Sequence, residues 1–336
     1  MLKNLNKRMS VAPMMDWTDR HCRYLHRLLS RHTLLYTEMV TAAAIVHGDP
    51  ARLLRFDPAE HPLALQLGGA DPGQLAQATR IAGGFGFDEF NLNIGCPSDR
   101  VQSGMFGAVL MKSPALVSDC VHAMIDNAGQ TEVTVKCRIG VDDQEPRDIL
   151  PGFIEMLETA GVRRVIIHAR KAWLEGLSPK ENRQVPPLDH ALVYAIKQDF
   201  PELEIIINGG ISSLAQAKQM LSCGVDGVMI GRAAYHDPFN TLARADIEIF
   251  GKPGQKTAHE VVNAMLPYIN AHLAAGGRLN QVTRHMMGLF NGRPGARQWR
   301  RILSEEAHRP GASAAVVTKA LGAVDGSKSQ GATTNL

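Results

Sequence analysis

Cysteine is scarce in this sequence, and its positions form no metal-binding or redox motif. The five cysteines are an odd number, and no two of them are separated by two residues as in a CxxC motif. These absences argue against a disulfide framework and against a structural zinc site, and they are typical of a reducing compartment. We therefore expect no bound metal ion.

Long apolar runs are also missing. No stretch approaches the ~20 apolar residues of a membrane span, and the first residues lack the apolar core of a signal peptide. The chain of 336 residues is 45% hydrophobic and 21% charged, an ordinary globular mixture. We expect a cytoplasmic protein without membrane contact and, because no long exposed apolar helix requires a partner, a monomer.

Short β-branched or apolar runs recur through the first 245 residues and alternate with segments that carry helix signals. In one such segment Ser212 and Ser213 stand at the N-cap position, and Gly224 follows the last turn. Eight βα units in sequence predict an α/β fold, a closed (β/α)8 TIM barrel. The predicted strands are Met9–Ala12, Leu34–Thr37, Leu63–Leu67, Asp88–Leu92, Val133–Arg138, Val165–His168, Ile205–Asn208 and Val228–Gly231.

The βα rhythm stops near residue 245, where Gly251-Lys252-Pro253-Gly254 indicates a linker. Apolar residues then recur at helical spacing. We predict a barrel domain over residues 1–245 and a small all-helical domain over 255–310. The remainder, 311–336, is rich in small residues, and we expect a flexible tail there.

Several predicted strands end in a polar residue that a buried core would not choose. In a barrel of this kind the carboxyl ends of the strands build the active site. The alternative interpretation is that these residues only mark where strands stop. They are Gln66, Asn91, Asn93, Lys136, Arg138, His168 and Asn208.

Glycines follow the last two strands, in Asn208-Gly209-Gly210 and in Gly231-Arg232. Loops at these places commonly hold a phosphate, because glycine lets backbone N–H groups approach the anion and arginine adds a positive charge. The pattern indicates a phosphorylated ligand, and aldolases and isomerases have similar loops.

Lys136 alternates with apolar neighbours that should face the helices, which places it inside the barrel. A buried lysine needs an anion. A reduced flavin ring is one, and Gln66 could bond the edge of the same ring. The alternative is a structural ion pair with Glu38.

Cys96 lies just past the fourth strand, before a Gly-rich segment. A lone cysteine is more often packing than chemistry, but its place on a polar loop favours a chemical role. An ordinary thiol is mostly protonated at neutral pH and can act as a general acid.

Positive charge concentrates between Arg278 and Arg309. This segment has seven arginines, no lysine and two glutamates, which makes its net charge +5. Arg297, Arg300 and Arg301 share one helix face. Such a face indicates a polyanion, and RNA fits; the alternative is a solvated charged surface.

Seven motifs in this order resemble bacterial tRNA-dihydrouridine synthases over about residues 8 to 305. The long segment after His168 and the ending HMMGLFNGRPGARQWRR look like the A subfamily, which is known for uridines 20 and 20a of the D-loop. The motifs are Pro13-Met14-Met15-Asp16-Trp17-Thr18-Asp19, Gln66-Leu67-Gly68-Gly69, Asn91–Pro97, Lys136-Cys137-Arg138, His168-Ala169-Arg170, Asn208-Gly209-Gly210 and Gly231-Arg232.

The resemblance implies an FMN cofactor, NADPH as reductant and tRNA as partner. A hydride would add to C6 of uridine, and Cys96 would donate the proton to C5. Asn93 would contact the target uridine. The absence of a dinucleotide glycine fingerprint fits a reductant that binds only transiently. The implied FMN-binding residues are Pro13, Met14, Met15, Gln66, Lys136, His168, Asn208, Gly209, Gly210, Gly231 and Arg232. The implied tRNA contacts, besides Asn93, are Lys180, Arg183, Arg297 and Arg300.

Two other functions remain open from the sequence. An FMN barrel acting on a free pyrimidine would share the phosphate loops and Lys136, but it would not explain the arginine-rich segment. A non-catalytic RNA-binding protein would not require Cys96 and Lys136 together.

Overall fold

The computed structural model describes residues 7–98, 101, 104–254 and 256–330. The chain divides into two compact units. The first comprises Met1–Asp16 and Leu34–Gly231, and the second comprises Trp17–Thr33 and Arg232–Leu336. This division differs from the boundary that we expected near residue 245. Linear patterns do not reveal it, because it depends on contacts such as that of Asp246 with Ser30, 216 positions apart.

The first unit is a parallel barrel, and all eight predicted strands are present, with one additional short strand. The sheet order is β1-β9-β8-β7-β6-β5-β4-β2, with β3 beside β4. The strands are β1 (Met9–Val11), β2 (Leu35–Tyr36), β3 (Val40–Thr41), β4 (Leu63–Gly68), β5 (Glu89–Ile94), β6 (Glu132–Arg138), β7 (Arg164–His168), β8 (Glu204–Asn208) and β9 (Gly227–Ile230).

The sheet closes on itself. β1 pairs with β9 along its full length, and a parallel bridge joins Ser10 to Leu34 just before β2. Within the described residues the parallel strands thus form a ring, as the TIM barrel requires, so the predicted fold class is confirmed. Alternate side chains fill the interior, and the apolar part of that core is Ala12, Leu34, Tyr36, Ala64, Ile166, Ile206 and Met229.

Helices surround the strands, and most begin at a side-chain cap. In the helix after β4, Asp71 accepts a bond from the Gln74 amide and Pro72 occupies the first turn, which satisfies an otherwise unpaired donor. The helices assigned to the first unit are α2 (Ala42–His47), α3 (Pro50–Leu53), α4 (Pro72–Gly83), α5 (Pro114–Ile125), α6 (Pro146–Thr159), α7 (His190–Asp199) and α8 (Leu214–Ser222).

The second unit is helical. Its first helix, α1, begins at a cap made by Asp19, whose carboxylate also binds Arg284 and His285. In the described residues no helix is long and apolar enough to cross a membrane. The helices of this unit are α1 (Arg20–Leu29), α9 (Arg232–His236), α10 (Pro238–Leu242), α11 (Ala245–Glu248), α12 (Ala258–Ala274), α13 (Leu279–Thr283), α14 (Ala296–Glu306) and α15 (Ala315–Gln330).

The C-terminal segment differs from the expected flexible tail, because it forms the helix α15. Val317, Ala320 and Val324 recur at helical spacing and are at most 1% exposed. Lys319 also binds Glu306 on α14 at 2.6 Å. The many small residues of this segment suggested disorder, but Val317, Ala320 and Val324 form a buried apolar stripe along the helix. Residues 331–336 lie outside the described residues.

Candidate active site

The carboxyl ends of adjacent strands bring the predicted polar residues together. The strand register sets Asn93 beside Lys136, Arg138 beside His168 and His168 beside Asn208. We call this end of the barrel the mouth. It comprises Gln66, Asn93, Lys136, Arg138, His168 and Asn208.

Three side-chain amides of the barrel interior are joined in series. Asn93 Nδ2 donates to Gln66 Oε1 at 2.8 Å, and Gln66 Nε2 donates to Asn91 Oδ1 at 2.8 Å. All three side chains are at least 92% buried, so these bonds satisfy groups that would be costly to leave unpaired. Gln66 and Asn93 are thus rigidly held at the mouth.

Cys96 sits on a loop that the mouth itself anchors. Asn93 Oδ1 accepts the amides of Gly95 and Cys96 at 3.1 and 3.0 Å. The Cys96 carbonyl accepts from the Ala108 amide at 2.9 Å. Gly107 has a φ of +76°, and a Cβ there would lie 2.6 Å from the Cys96 carbonyl oxygen, so this close approach requires glycine.

Cys96 is the one partly exposed cysteine in the described residues that borders the mouth. Its Sγ lies 3.4 Å from Ser98 Oγ. The other four cysteines do not combine exposure with this location. Cys22, Cys120 and Cys137 are buried, and Cys223 is exposed at the end of α8.

The mouth is rich in positive charge. Burial, with Arg138 nearby, lowers the pKa of Lys136 to about 8. Burial, with other arginines, lowers the pKa of Arg138 to about 10. Burial and these cations hold the pKa of His168 well below its usual range, so His168 is neutral at pH 7.

Lys136 has no carboxylate partner within 4 Å among the described residues. The structural ion pair with Glu38 is therefore not formed; Glu38 instead accepts the Asp16 amide at 2.5 Å. An ammonium group withdrawn from water without a counterion is costly. The site around Lys136 thus favours an anionic ligand.

The loop after β8 contains two glycines in left-handed conformations. Gly209 and Gly210 have φ values of +114° and +76°. A Cβ on Gly209 would lie 2.7 Å from the His168 ring, and one on Gly210 would lie 2.5 Å from Leu188. Asn208 is held by a 2.8 Å bond to the Met229 carbonyl. Only glycine allows this turn.

The remaining predicted cofactor residues lie around the ends of β1 and β9. Pro13, Met14 and Met15 follow β1, and Met15 is 54% exposed. A Cβ on Gly231 would lie 3.6 Å from the Met14 sulfur. Arg232 is the next residue along the chain and begins α9 in the helical unit.

The loop after β7 is organised around Asn182, which the sequence analysis missed. Asn182 is fully buried; it accepts from the Trp173 amide at 2.7 Å and donates to the Trp173 and Leu177 carbonyls. Its neighbours Lys180 and Arg183 are exposed. Arg138 donates to the carbonyls of Asn182 and Gly95, linking this loop to the Cys96 loop.

In the helical unit, α14 presents its arginines to solvent. Arg297 and Arg300 are exposed, whereas Trp299 and Ile302 on the same helix are buried. Arg300 also donates to Asn291 at 2.9 Å. The predicted tRNA contacts on this helix therefore form an accessible cationic face.

Comparisons with known proteins agree with this geometry. A family model described as "Dihydrouridine synthase (Dus)" matches residues 10–324.

The chain belongs to the dihydrouridine synthase family.

A relative from Salmonella typhi named tRNA-dihydrouridine(20/20a) synthase is 58% identical over 316 residues, covering 94% of each chain. One of the same name from Escherichia coli (strain K12) is 58% identical and covers 94% of this chain and 90% of its own. Among solved structures, an old yellow enzyme homologue from Zymomonas mobilis aligns with a TM-score of 0.54 at 14% identity. It covers 76% of this chain and 91% of its own, and it shows the fold alone.

Membership in the dihydrouridine synthase family makes the chain an enzyme that uses a flavin cofactor. Lys136, which has no carboxylate partner among the described residues, suits a cofactor with an anionic edge.

Proposed function

We propose that this enzyme reduces uridines 20 and 20a in the D-loop of tRNA to 5,6-dihydrouridine. The observation that supports it most is the cationic mouth beside the partly exposed thiol of Cys96. The relatives named for this reaction match nearly the whole chain. A barrel enzyme for a small free pyrimidine would have no use for the exposed arginines of α14.

The described residues fit FMN as the form of the flavin. Gly209 and Gly210 have left-handed backbone and no side chain, so their N–H groups would be free to approach a phosphate, and Arg232 would supply a positive charge. Lys136 and Gln66 would hold the ring's polar edge. Pro13, Met14, Met15, His168, Asn208 and Gly231 complete the proposed FMN set.

The chain's own groups then perform the acid–base part of the reaction. When bound, the reduced flavin supplies a hydride for C6 of the uracil ring. Negative charge then extends to the C4 carbonyl, and C5 needs a proton. The Cys96 thiol donates that proton, and Asn93 holds the base with its remaining N–H. Because its pKa is lowered, His168 is not an imidazolium at pH 7 and does not compete with Cys96 in that form.

RNA binding is assigned to two cationic surfaces. Lys180 and Arg183 flank the buried Asn182 on the loop after β7. Arg297 and Arg300 belong to the exposed face of α14. Arginine and lysine contacts with phosphate supply most of the affinity for nucleic acid and make it dependent on salt.

The proposal includes NADPH as the reductant, a cytoplasmic location and a monomeric enzyme. NADPH is what the family resemblance implies, and the absence of a dinucleotide-binding fingerprint in the sequence fits a transiently bound reductant. The cytoplasmic location rests on the cysteine pattern, and the monomer on the lack of a long exposed apolar helix in the sequence pattern. The proposed reaction does not depend on the reductant, the location or the oligomeric state.

Mass spectrometry of unmodified tRNA tests the proposal. The purified protein is incubated with FMN, NADPH and the transcript, and the D-loop fragments are analysed. We expect two added hydrogens on uridine 20 or 20a. A flavin-bound protein that oxidises NADPH without any mass change in the tRNA would contradict the substrate, and free pyrimidines would be assayed next.

A further inference from the structure

A chain of hydrogen bonds runs inside the barrel from its opposite end to the Cys96 loop. We call that opposite end the floor; it comprises Lys7, Tyr36, Glu89, Glu132, Arg164 and Glu204. Thr134 Oγ1 lies 2.7 Å from Glu89 Oε1, and Asn91 Nδ2 lies 2.8 Å from Thr134 Oγ1. The amide series Asn91, Gln66 and Asn93 continues from there to the amides of Gly95 and Cys96.

The floor end of this chain can only accept hydrogen bonds. Glu89 is completely buried. Its Oε2 accepts from Lys7 at 2.8 Å and from Arg164 at 3.0 Å, and its Oε1 accepts from the hydroxyls of Tyr36 and Thr134. Burial alone would raise the pKa of Glu89, but Lys7 and Arg164 hold it below its ordinary value. An ionised carboxylate has no proton to give.

The upper end of the chain can only donate. The backbone amides of Gly95 and Cys96 have one hydrogen each and no acceptor, so the Asn93 atom that meets them must be oxygen. Because Asn93 Oδ1 faces these amides, Asn93 Nδ2 faces Gln66 Oε1, and Gln66 Nε2 in turn faces Asn91 Oδ1. This end alone therefore determines the orientation of all three side-chain amides. The orientations follow independently from the Glu89 end, and both ends require the same orientation for Gln66, Asn91 and Asn93.

Thr134 is the member that connects the carboxylate to the amides. Its hydroxyl donates to Glu89 and accepts from Asn91 at the same time, which no apolar side chain can do. With this direction established, both lone pairs of Asn93 Oδ1 are occupied. The hydrogen-bonding capacity that Asn93 retains is one N–H donor, which suits a carbonyl oxygen and not an amino group.

We propose that Thr134, anchored on Glu89, is a positioning residue that sets the hydrogen-bond direction of Asn93 and Gln66 and holds the Cys96 loop in place. The part of this inference that concerns turnover rests on the proposed function. The part that concerns the loop does not.

The test compares Thr134→Val with Thr134→Ser. Valine keeps the branched shape but breaks the chain, and serine keeps the hydroxyl. Thr79→Val is the matched control, because the Thr79 hydroxyl is buried with no hydrogen-bond partner among the described residues. Hydrogen exchange of the Gly95 and Cys96 amides and the rate of Cys96 alkylation by iodoacetamide report on the loop without tRNA.

For Thr134→Val we expect exchange and alkylation to be faster by roughly fivefold or more, as for loss of one supporting hydrogen bond. Turnover of tRNA should fall with little change in its KM, while flavin content and NADPH oxidation by oxygen persist. Thr134→Ser should restore all readouts to within about twofold of the parent, and Thr79→Val should leave them unchanged.

Equal loop exchange and turnover in the valine and serine variants would overturn the proposal. Faster exchange in a protein that never reduces tRNA would support the positioning role while contradicting the substrate. If Thr134→Val does not fold, NMR of the parent protein decides. One side-chain amide proton of each of Gln66, Asn91 and Asn93 should exchange slowly, and rapid exchange of all of them would refute the chain.

Discussion

The two ends of the barrel both contain buried charge, but only the floor balances it. At the floor, Glu89 accepts four donors, and Arg164 also binds Glu132 at 3.0 Å and Glu204 at 2.6 Å. At the mouth, Lys136 and Arg138 lie near each other without a carboxylate partner in the described residues. Charge that the protein neutralises by itself is structural, and charge left unneutralised indicates a ligand.

The floor and the mouth also differ in the roles that these two ends usually have in TIM barrels. Residues at the amino ends of the strands usually serve stability, whereas residues at the carboxyl ends carry the chemistry. The hydrogen-bond chain through Thr134 connects the two ends, so the floor also orients the mouth. Substitutions at one end of the barrel at a time separate the structural role of the floor from the chemical role of the mouth.

The largest expected effect is at the mouth, with Cys96→Ala. Loss of the general acid should lower turnover of tRNA by about 10²–10⁴-fold, while flavin binding, tRNA binding and NADPH oxidation by oxygen remain. Single-turnover reduction of tRNA measures it. Cys223→Ala, at an exposed cysteine, is the control and should keep full activity; undiminished turnover in Cys96→Ala would remove its role as the acid.

At the floor, Glu89→Ala should cost stability. It removes the fully buried carboxylate that Lys7 and Arg164 share and leaves them only the partly exposed Glu132 in common. Breaking a buried ion pair in this way costs about 3–5 kcal/mol of unfolding free energy. Chemical denaturation of the apoprotein measures this loss. A change below about 1 kcal/mol would mean that the floor network is not structural.

Lys136→Met should give the opposite pattern. Removing a half-buried cation that has no carboxylate partner among the described residues should leave the stability of the apoprotein equal or higher, whereas flavin affinity should fall by on the order of 2 kcal/mol or more. Thermal unfolding and flavin titration separate the two effects. Loss of apoprotein stability together with unchanged flavin affinity would assign Lys136 to the structure instead.

A smaller effect is expected in the helical unit. Arg297→Ala combined with Arg300→Ala should weaken tRNA binding by about 1–3 kcal/mol. The slope of the logarithm of the binding constant against the logarithm of the salt concentration should become shallower by about one to two. NADPH oxidation by oxygen should persist. Binding isotherms at several salt concentrations measure this, and an unchanged slope would exclude phosphate contacts at these positions.

The smallest effect is on pH dependence. Because the folded protein lowers the pKa of Lys136 to about 8, the unfolded chain binds more protons between pH 8 and the ordinary lysine value. The stability of the apoprotein should therefore rise with pH in that window. Flavin affinity should instead fall as pH rises through about 8, and Lys136→Met should abolish this dependence; an equal dependence in the variant would assign it to another group.

Strand positions were predictable because β-branched runs and their polar ends are local signals. The predicted Val133–Arg138 and the observed Glu132–Arg138 differ by one residue. The same local signal marked Lys136, His168 and Asn208 as residues of the mouth.

Other features were missed because they depend on distant partners. Glu89 binds Arg164 75 positions away, although the alternation of Glu89, Asn91 and Asn93 with apolar residues could have indicated a polar barrel interior. Asn182 lies in a loop without any period, so no sequence signal marks it.

The most direct test of the central claim is an anaerobic single turnover of the flavin-reduced protein with two matched tRNA transcripts. One has uridine at positions 20 and 20a, and the other has cytidine at both. The account predicts that the first transcript reoxidises the flavin, seen in its absorption spectrum, and gains two hydrogens, while the second does neither. Equal reoxidation by both transcripts, or by neither, would contradict the assignment of these uridines as the substrate.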